Sequence, residues 1–72
     1  MAFKFELSRA KAHGADCWVL RDPDEDRTLY VSSEPWTDDD GLEWASKQVR
    51  AMVGWTVRWV ANGDRWTAER VA

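Results

Sequence analysis

Residues 37–53 carry apolar side chains at helical spacing. At about 100° per residue they form a single stripe, made of Leu42, Ala45, Val49, Met52 and Val53. Thr37 can cap the first turn, and the three aspartates after it place negative charge at the positive end of the helix dipole. Gly54 is a typical residue for ending a helix. The pattern predicts an amphipathic helix whose stripe faces a core.

Trp44 does not belong to this stripe. It lies about 200° from Leu42 around the helix, on the same side as Gln48 and Ala51. The spacing therefore predicts a bulky indole on the outer face of the helix.

Before the helix, three strands are predicted: two from alternating apolar and polar residues, at residues 3–7 and 27–33, and one from a short apolar run at residues 17–20. Residues 8–16 are polar and small, which predicts a connection. Residues 22–26 place a proline among acidic residues, which is typical of a hairpin tip. In the third strand, Leu29 and Val31 are predicted to share one face.

After the helix, a second hairpin is predicted from residues 55–61, the dipeptide Asn62-Gly63 and a returning strand at residues 65–71. A two-residue turn at that dipeptide would place Trp59 opposite Trp66. The element order predicts an α+β fold in a single domain of residues 1–72. A three-strand meander and a C-terminal β-hairpin would form an antiparallel sheet, with one α-helix packed on one face.

Composition raises the question of where the tryptophans lie. The chain has six tryptophans in 72 residues, and its single cysteine, Cys17, cannot form an internal disulfide. A domain of this size buries only about 60% of the surface that its unfolded chain exposes. We therefore expect some indoles to be covered by a second molecule.

Charge and hydropathy bear on partners and location. The net charge of −3 argues against a general affinity for nucleic-acid phosphate. No apolar run approaches the roughly 18 residues that a membrane span needs, and the first residues lack the apolar core of a signal peptide. We expect a cytoplasmic protein with no membrane partner, in the host cytoplasm if the gene belongs to a phage.

The order of these segments resembles that of the YegP-like family of small bacterial and archaeal proteins. The similarity covers about residues 3–50, and its motifs are residues 4–7 (Lys-Phe-Glu-Leu), 18–20 (Trp-Val-Leu), 32–36 (Ser-Ser-Glu-Pro-Trp) and 49–50 (Val-Arg). That family is built from strand-strand-strand-helix units, often two in tandem, and has no established catalytic activity. The resemblance implies that the single unit here finds its second copy in another chain.

No catalytic or metal-binding pattern is present in the sequence. Cys17 and His13 lack a third residue to orient them as nucleophile and base. Residues 22–26 alternate acids as a calcium loop does, but lack its glycine and distal glutamate. We therefore predict no enzyme activity, no cofactor and no metal.

The leading hypothesis is a non-enzymatic interaction module that self-associates into a homodimer through a tryptophan-rich surface. An unidentified protein partner is also possible. The predicted interface residues are Trp18, Trp36, Trp44, Gln48 and Trp55. Trp is enriched among residues that dominate binding energy.

The alternative hypothesis uses two groups of acidic residues. They are Asp22, Asp24, Glu25 and Asp26 at the hairpin tip and Asp38, Asp39 and Asp40 at the helix start. On one rim they would imitate nucleic-acid charge, as in a phage or mobile-element inhibitor of the anti-CRISPR type. The simpler interpretation is a solvated turn and a helix start matched to its dipole.

A third hypothesis is weak binding of single-stranded nucleic acid. Arg58, Arg65 and Arg70 lie on the C-terminal hairpin with several indoles, and such proteins combine charge with base stacking. The scattered basic residues and the acidic net charge make this partner the least expected.

Overall fold

The computed structural model describes residues 4–12, 14–32 and 37–72. It contains six elements: β1 (Glu6–Ala12), β2 (Ala15–Asp22), β3 (Arg27–Ser32), α1 (Asp38–Val53), β4 (Val57–Asn62) and β5 (Arg65–Arg70). The strands form one antiparallel sheet in the order β3-β2-β1-β5-β4. The helix packs on one face of this sheet. The predicted α+β fold is therefore confirmed.

The first hairpin is longer than predicted. The part of β1 after Leu7 and the start of β2, expected as a connection, belong to it, because β1 pairs with β2 from Glu6 opposite Arg21 to Ala12 opposite Ala15. β1 lies at the centre of the sheet, and its backbone is paired with β2 on one side and β5 on the other. β5 pairs only with the first residues of β1, up to Ser8, so backbone pairing with β2 sustains the polar part of the strand that follows. Phe3, the predicted start of this strand, lies outside the described residues.

A β-bulge changes the predicted faces of β3. Tyr30 pairs with Leu20 and Val31 with Val19, after which the register shifts and Leu29 has no partner of its own. An extra residue reverses the alternation of side chains along a strand. Leu29 packs against the core, whereas Val31 lies beside Val19 on the face away from the helix, which we call the open face. The prediction that Leu29 and Val31 share a face is therefore wrong.

The second hairpin has the predicted faces but a different register. Ala61 pairs with Trp66 and Trp59 with Ala68, so the predicted pair of Trp59 and Trp66 is wrong. The turn begins one residue later than expected, with Gly63 at its first central position and a φ of 67°. Glycine there is the arrangement of a type II′ turn. When the turn moves by one residue, the partner of each residue moves by two positions along the other strand. Side chains alternate with a period of two, so every side chain stays on its predicted face.

Both ends of α1 follow the prediction. The Thr37 hydroxyl accepts a hydrogen bond from the Asp40 amide at 3.3 Å. Gly54 is left-handed, with a φ of 75°, and its amide donates to the Arg50 carbonyl at 2.9 Å. These bonds satisfy backbone groups that the helix leaves unpaired. They set the length of the helix and therefore the positions of its flanks.

The core forms where the helix meets the central strands. Its buried members are Phe5, Leu7, Trp18, Leu20, Ala45 and Val49. Gly41 is also buried, one turn before Ala45. A Cβ at position 41 would lie 2.4 Å from Cε2 of Trp18, so the indole packs directly against the helix backbone. Only glycine permits this approach without a shift of either element.

Candidate interaction surface

The two flanks of α1 face opposite edges of the sheet. On one flank, Ser46 accepts a hydrogen bond from Nε1 of Trp59 at 2.8 Å, and Trp59 belongs to edge strand β4. Trp44 and Gln48 lie on the other side of the buried line through Ala45. Because the first flank faces β4, the flank with Trp44 and Gln48 faces the opposite edge, strand β3.

Strand β3 exposes apolar side chains on both of its faces. Tyr30 pairs with the core residue Leu20 and so lies on the helix side of the sheet, while Val31 lies on the open face. Their exposed fractions are 41% and 55%. Within the described residues β3 is paired only with β2. We call the group formed by Tyr30, Val31, Trp44 and Gln48 the β3-side surface.

Trp44 is covered more than its helical position predicts. Its ring is half-buried and packs against the core cluster. It lines a groove of about 280 Å³ with Asp40, Glu43 and Lys47, and the last two form an ion pair at 3.8 Å. An indole is large enough to reach the core from the flank of a helix while one side stays open. The prediction of an indole on the outer face is therefore correct only for part of the ring.

The other predicted interface residues do not join this surface. Trp18 is only 1% exposed, because Gly41 covers it, the Arg9 guanidinium lies 4.5 Å from its ring centroid, and Trp66 packs at 5.5 Å. Assigning Trp18 to an interface is therefore wrong. Trp55 is half-buried near the β4 edge, where it helps to line a second groove. Trp36 lies outside the described residues.

The fold covers its tryptophans better than composition indicated. Of the five that the structure describes, one is buried and four are half-buried. Trp55 shows how: Phe5 meets its ring edge-on at 6.2 Å, and the Arg70 guanidinium lies 4.6 Å from its centroid. A guanidinium over an aromatic face is favourable and covers the ring without an apolar neighbour. The number of tryptophans alone is therefore not an argument for a second chain.

One acidic residue of the hairpin tip, Asp22, stabilises the turn. Asp22 is 6% exposed, and its Oδ1 accepts hydrogen bonds from the amides of Asp24 at 3.0 Å and Glu25 at 3.3 Å. A carboxylate that binds the next amides holds the chain in a turn. Its inclusion in an acidic surface patch is therefore wrong, although Asp24, Glu25 and Asp26 are exposed.

We expect Asp22→Ala to lower the free energy of unfolding by about 1–2 kcal/mol, because two turn amides lose their acceptor. Asp22→Asn keeps an acceptor oxygen and is the matched control, with a loss less than half as large. Urea denaturation followed by circular dichroism measures both values. Equal losses in the two variants would show that the charge, rather than the acceptor, matters.

The two acidic groups lie at opposite ends of the helix. Asp38 starts α1 and pairs with Arg9 at 3.1 Å. The hairpin tip is near the other end, where Met52 and Val53 line a pocket with Asp22. The helix has 16 residues, so the two groups are separated by about 24 Å. The two groups therefore do not share the single rim that the alternative hypothesis requires.

Charged residues on the open face are paired with each other. Glu6 lies between Arg65 at 3.4 Å and Arg21 at 4.0 Å, and Arg58 bonds Glu69 at 2.6 Å. The hydrogen bond to Glu69, and then the charge of that carboxylate, raise the pKa of Arg58. Arginines matched to carboxylates in this way have less charge to offer a phosphate backbone.

The residues considered as candidates for metal binding or catalysis are not brought together in the described part of the chain. Among the described residues, no three histidine, cysteine, aspartate or glutamate side chains are placed to hold a metal ion. Cys17 is buried at 4% exposure, and His13 lies outside the described residues. In the same ranges, α1 is neither long enough nor apolar enough to span a membrane.

The sequence alone does not indicate Tyr30 and Val31 as surface residues. The signal that locates them is the bulge at Leu29, which becomes visible only in the strand pairing. Trp44 and Gln48 were found by helical geometry and lie on the same flank of the helix.

Comparison with known proteins gives no further information on this surface. No family model, curated protein or solved structure matches the chain. The resemblance to the YegP-like family therefore stays a prediction.

Proposed function

We propose that this chain is a non-enzymatic interaction module that self-associates into a homodimer through the β3-side surface. The observation that carries the proposal is the exposure of Tyr30 and Val31 on an edge strand, beside the helix flank that holds Trp44 and Gln48. Large apolar side chains grouped at the edge of a sheet are typical of a surface that another chain covers.

The exposed apolar residues are not spread evenly. The large hydrophobic residues exposed in the described part of the chain are Tyr30, Val31, Val60 and Val71. The first two are adjacent in β3, and Trp44 is half-buried on the helix flank facing that strand. This concentration favours the β3 edge over the β4 edge. The resemblance to the YegP-like family implies that the single strand-strand-strand-helix unit pairs with a unit in another chain, which is also a homodimer.

Val31→Lys tests this assignment. We expect it to raise the dimer dissociation constant by at least about tenfold, because the lysine ammonium would be removed from water in an apolar contact. Val60→Lys is the matched control, since Val60 is 42% exposed on the open face of the opposite edge strand. Light scattering after size-exclusion chromatography measures both variants. A dimer weakened only by Val60→Lys would assign the contact to β4.

The alternative function, an inhibitor that imitates nucleic-acid charge for an unidentified protein target, depends on the helix start alone. Asp39 and Asp40 remain exposed there, while Asp38 is paired with Arg9. The separation of the two acidic groups disfavours this function, and the paired arginines of the open face disfavour the nucleic-acid binder. Changing the three aspartates to lysine and measuring inhibition of a nucleic-acid-handling complex tests the first alternative. Unchanged inhibition would reject it.

A further inference from the structure

We propose that the pocket between the last turn of α1 and the β2–β3 hairpin binds a small zwitterion, an α-amino acid with an apolar side chain. The pocket has a volume of about 150 Å³. Its lining residues are Phe5, Asp22, Arg27, Leu29, Met52 and Val53. This site shares no residue with the β3-side surface, so it does not depend on the proposed homodimer.

Asp22 supplies a carboxylate oxygen to the pocket. The residue is only 6% exposed, and its Oδ1 accepts the turn amides of Asp24 and Glu25. Among the described residues the second oxygen, Oδ2, has no hydrogen-bond partner, and no fully enclosed side-chain oxygen lacks one, so Oδ2 borders the space that Asp22 lines. Buried carboxylates are normally paired or fully hydrogen-bonded. An ammonium group in the pocket would complete the bonding of this one.

The end of α1 favours a positive charge at the same place. Met52 and Val53 belong to its last turn, and Gly54 ends the helix. The carbonyl groups of a last helical turn carry the negative end of the helix dipole. The carboxylate and the helix end therefore both favour the ammonium group of a ligand.

Arg27 supplies the opposite charge. It lies across from Asp22 in the pairing of β2 with β3, and it lines the same pocket. In the described chain its ion partner is Glu25 at 4.0 Å, which is too long for a hydrogen bond, and its side chain is 65% exposed. Exposed pairs of this kind are weak, so the guanidinium can turn to bind a carboxylate. Opposite charges at one pocket match a zwitterion better than a simple amine or a simple acid.

The remaining lining of the pocket is apolar. Phe5 is buried, and Leu29, Met52 and Val53 are half-buried and pack against the core. An apolar cavity of about this volume can hold a group of the size of benzene, with about six carbon atoms. Branched aliphatic and aromatic amino-acid side chains are of that size. The lining and the volume therefore match an apolar side chain between the two charged groups.

Titration of the unmodified chain with L-leucine and with L-phenylalanine, followed by two-dimensional amide NMR, tests the site. We expect saturable shifts at the residues that line the pocket, with a dissociation constant of about 1 mM or lower for at least one of the two. Isoamylamine lacks the carboxylate of leucine and isocaproate lacks its ammonium, so each should bind at least about tenfold more weakly than L-leucine. Absence of saturable shifts with both amino acids up to about 10 mM would overturn the proposal. An analogue that binds as tightly as L-leucine would also overturn it, because one of the two charges would then take no part.

Two variants locate the charges in the pocket. Asp22→Asn keeps an oxygen for the turn amides but turns its NH₂ group toward the ligand's ammonium, donor against donor. Arg27→Gln removes the guanidinium from an exposed position, where no loss of folding is expected. Each change should weaken binding of the amino acid at least about tenfold.

Lys47→Gln is the matched control for Arg27→Gln. It also removes an exposed cation, from the middle of α1 and outside the lining of this pocket, so binding should not change. Amide spectra without ligand show whether each variant keeps its fold. If Asp22→Asn disturbs the hairpin, Arg27→Gln decides the test alone. Binding that is unchanged in Arg27→Gln, or weakened equally in Lys47→Gln, would overturn the proposal.

Discussion

Trp18→Ala is expected to lower the free energy of unfolding by about 3–5 kcal/mol, the largest effect of any single substitution proposed here. The indole is 1% exposed and contacts the backbone of Gly41, the guanidinium of Arg9 and the ring of Trp66. Its removal leaves a cavity between helix and sheet. A chain of 72 residues has a total stability of about 4–11 kcal/mol. The variant should therefore be partly or wholly unfolded at 37 °C.

Trp55→Ala is the matched control for Trp18→Ala. It removes the same side chain from a half-buried site near the β4 edge, so its loss should be clearly smaller. Thermal and urea denaturation, followed by far-ultraviolet circular dichroism, measure both. Equal losses would mean that Trp18 is not the central packing residue of this domain.

Gly41→Ala is expected to lower the free energy of unfolding by about 1–3 kcal/mol, although alanine is the better helix former by about 1 kcal/mol. The reason is the Trp18 ring, whose Cε2 would lie 2.4 Å from the new Cβ. Ring and helix would have to move apart, and every contact of the core on that side would loosen. The clash outweighs the gain in helix propensity.

Two comparisons test this explanation. Ala51→Gly changes an exposed position of the same helix, where we expect glycine to be less stable than alanine by about 1 kcal/mol. Alanine should therefore be favoured at position 51 and glycine at position 41. The second comparison combines Trp18→Leu with Gly41→Ala. The double variant should lose less free energy of unfolding than the sum of the two single losses, because the smaller side chain leaves room for the methyl group. Additive losses would rule out the clash as the cause.

Much of the fold follows from local chemistry and could be predicted. The helix begins after Thr37 and ends at Gly54 because each residue binds a backbone group within a few positions of itself. The faces of the C-terminal hairpin follow from alternation, which a change of two residues in pairing does not disturb. Alternation and capping are properties of neighbouring residues, so no tertiary contact is needed to read them.

The errors arise where distant parts of the chain decide the structure. The extension of β1 to Ala12 depends on how far β2 continues to pair with it, since β5 pairs only with Glu6, Leu7 and Ser8. The bulge at Leu29 depends on how β3 meets β2. The role of Gly41 depends on Trp18, which is 23 positions away in sequence and in contact only through the fold. No pattern of neighbouring residues contains that information.

The candidate surface was predicted only in part for the same reason. Helical geometry places Trp44 and Gln48 on one flank, while the exposure of Tyr30 and Val31 follows from the bulge and the strand order. The number of tryptophans led to the expectation that a second molecule covers some of them. The chain covers much of this surface itself, because small and charged neighbours can shield an indole, as Arg70 shields Trp55. The argument for a second chain therefore depends on where apolar surface remains exposed.

Self-association is the central claim, and sedimentation equilibrium of the unmodified chain from low to high micromolar concentration tests it most directly. We predict a mass that rises from the 8.3 kDa of one chain toward twice that value and then stays constant. Dimers with dissociation constants between millimolar and micromolar have association free energies of about 4–8 kcal/mol and form within this concentration range. A mass that stays at that of one chain up to several hundred micromolar would contradict the claim.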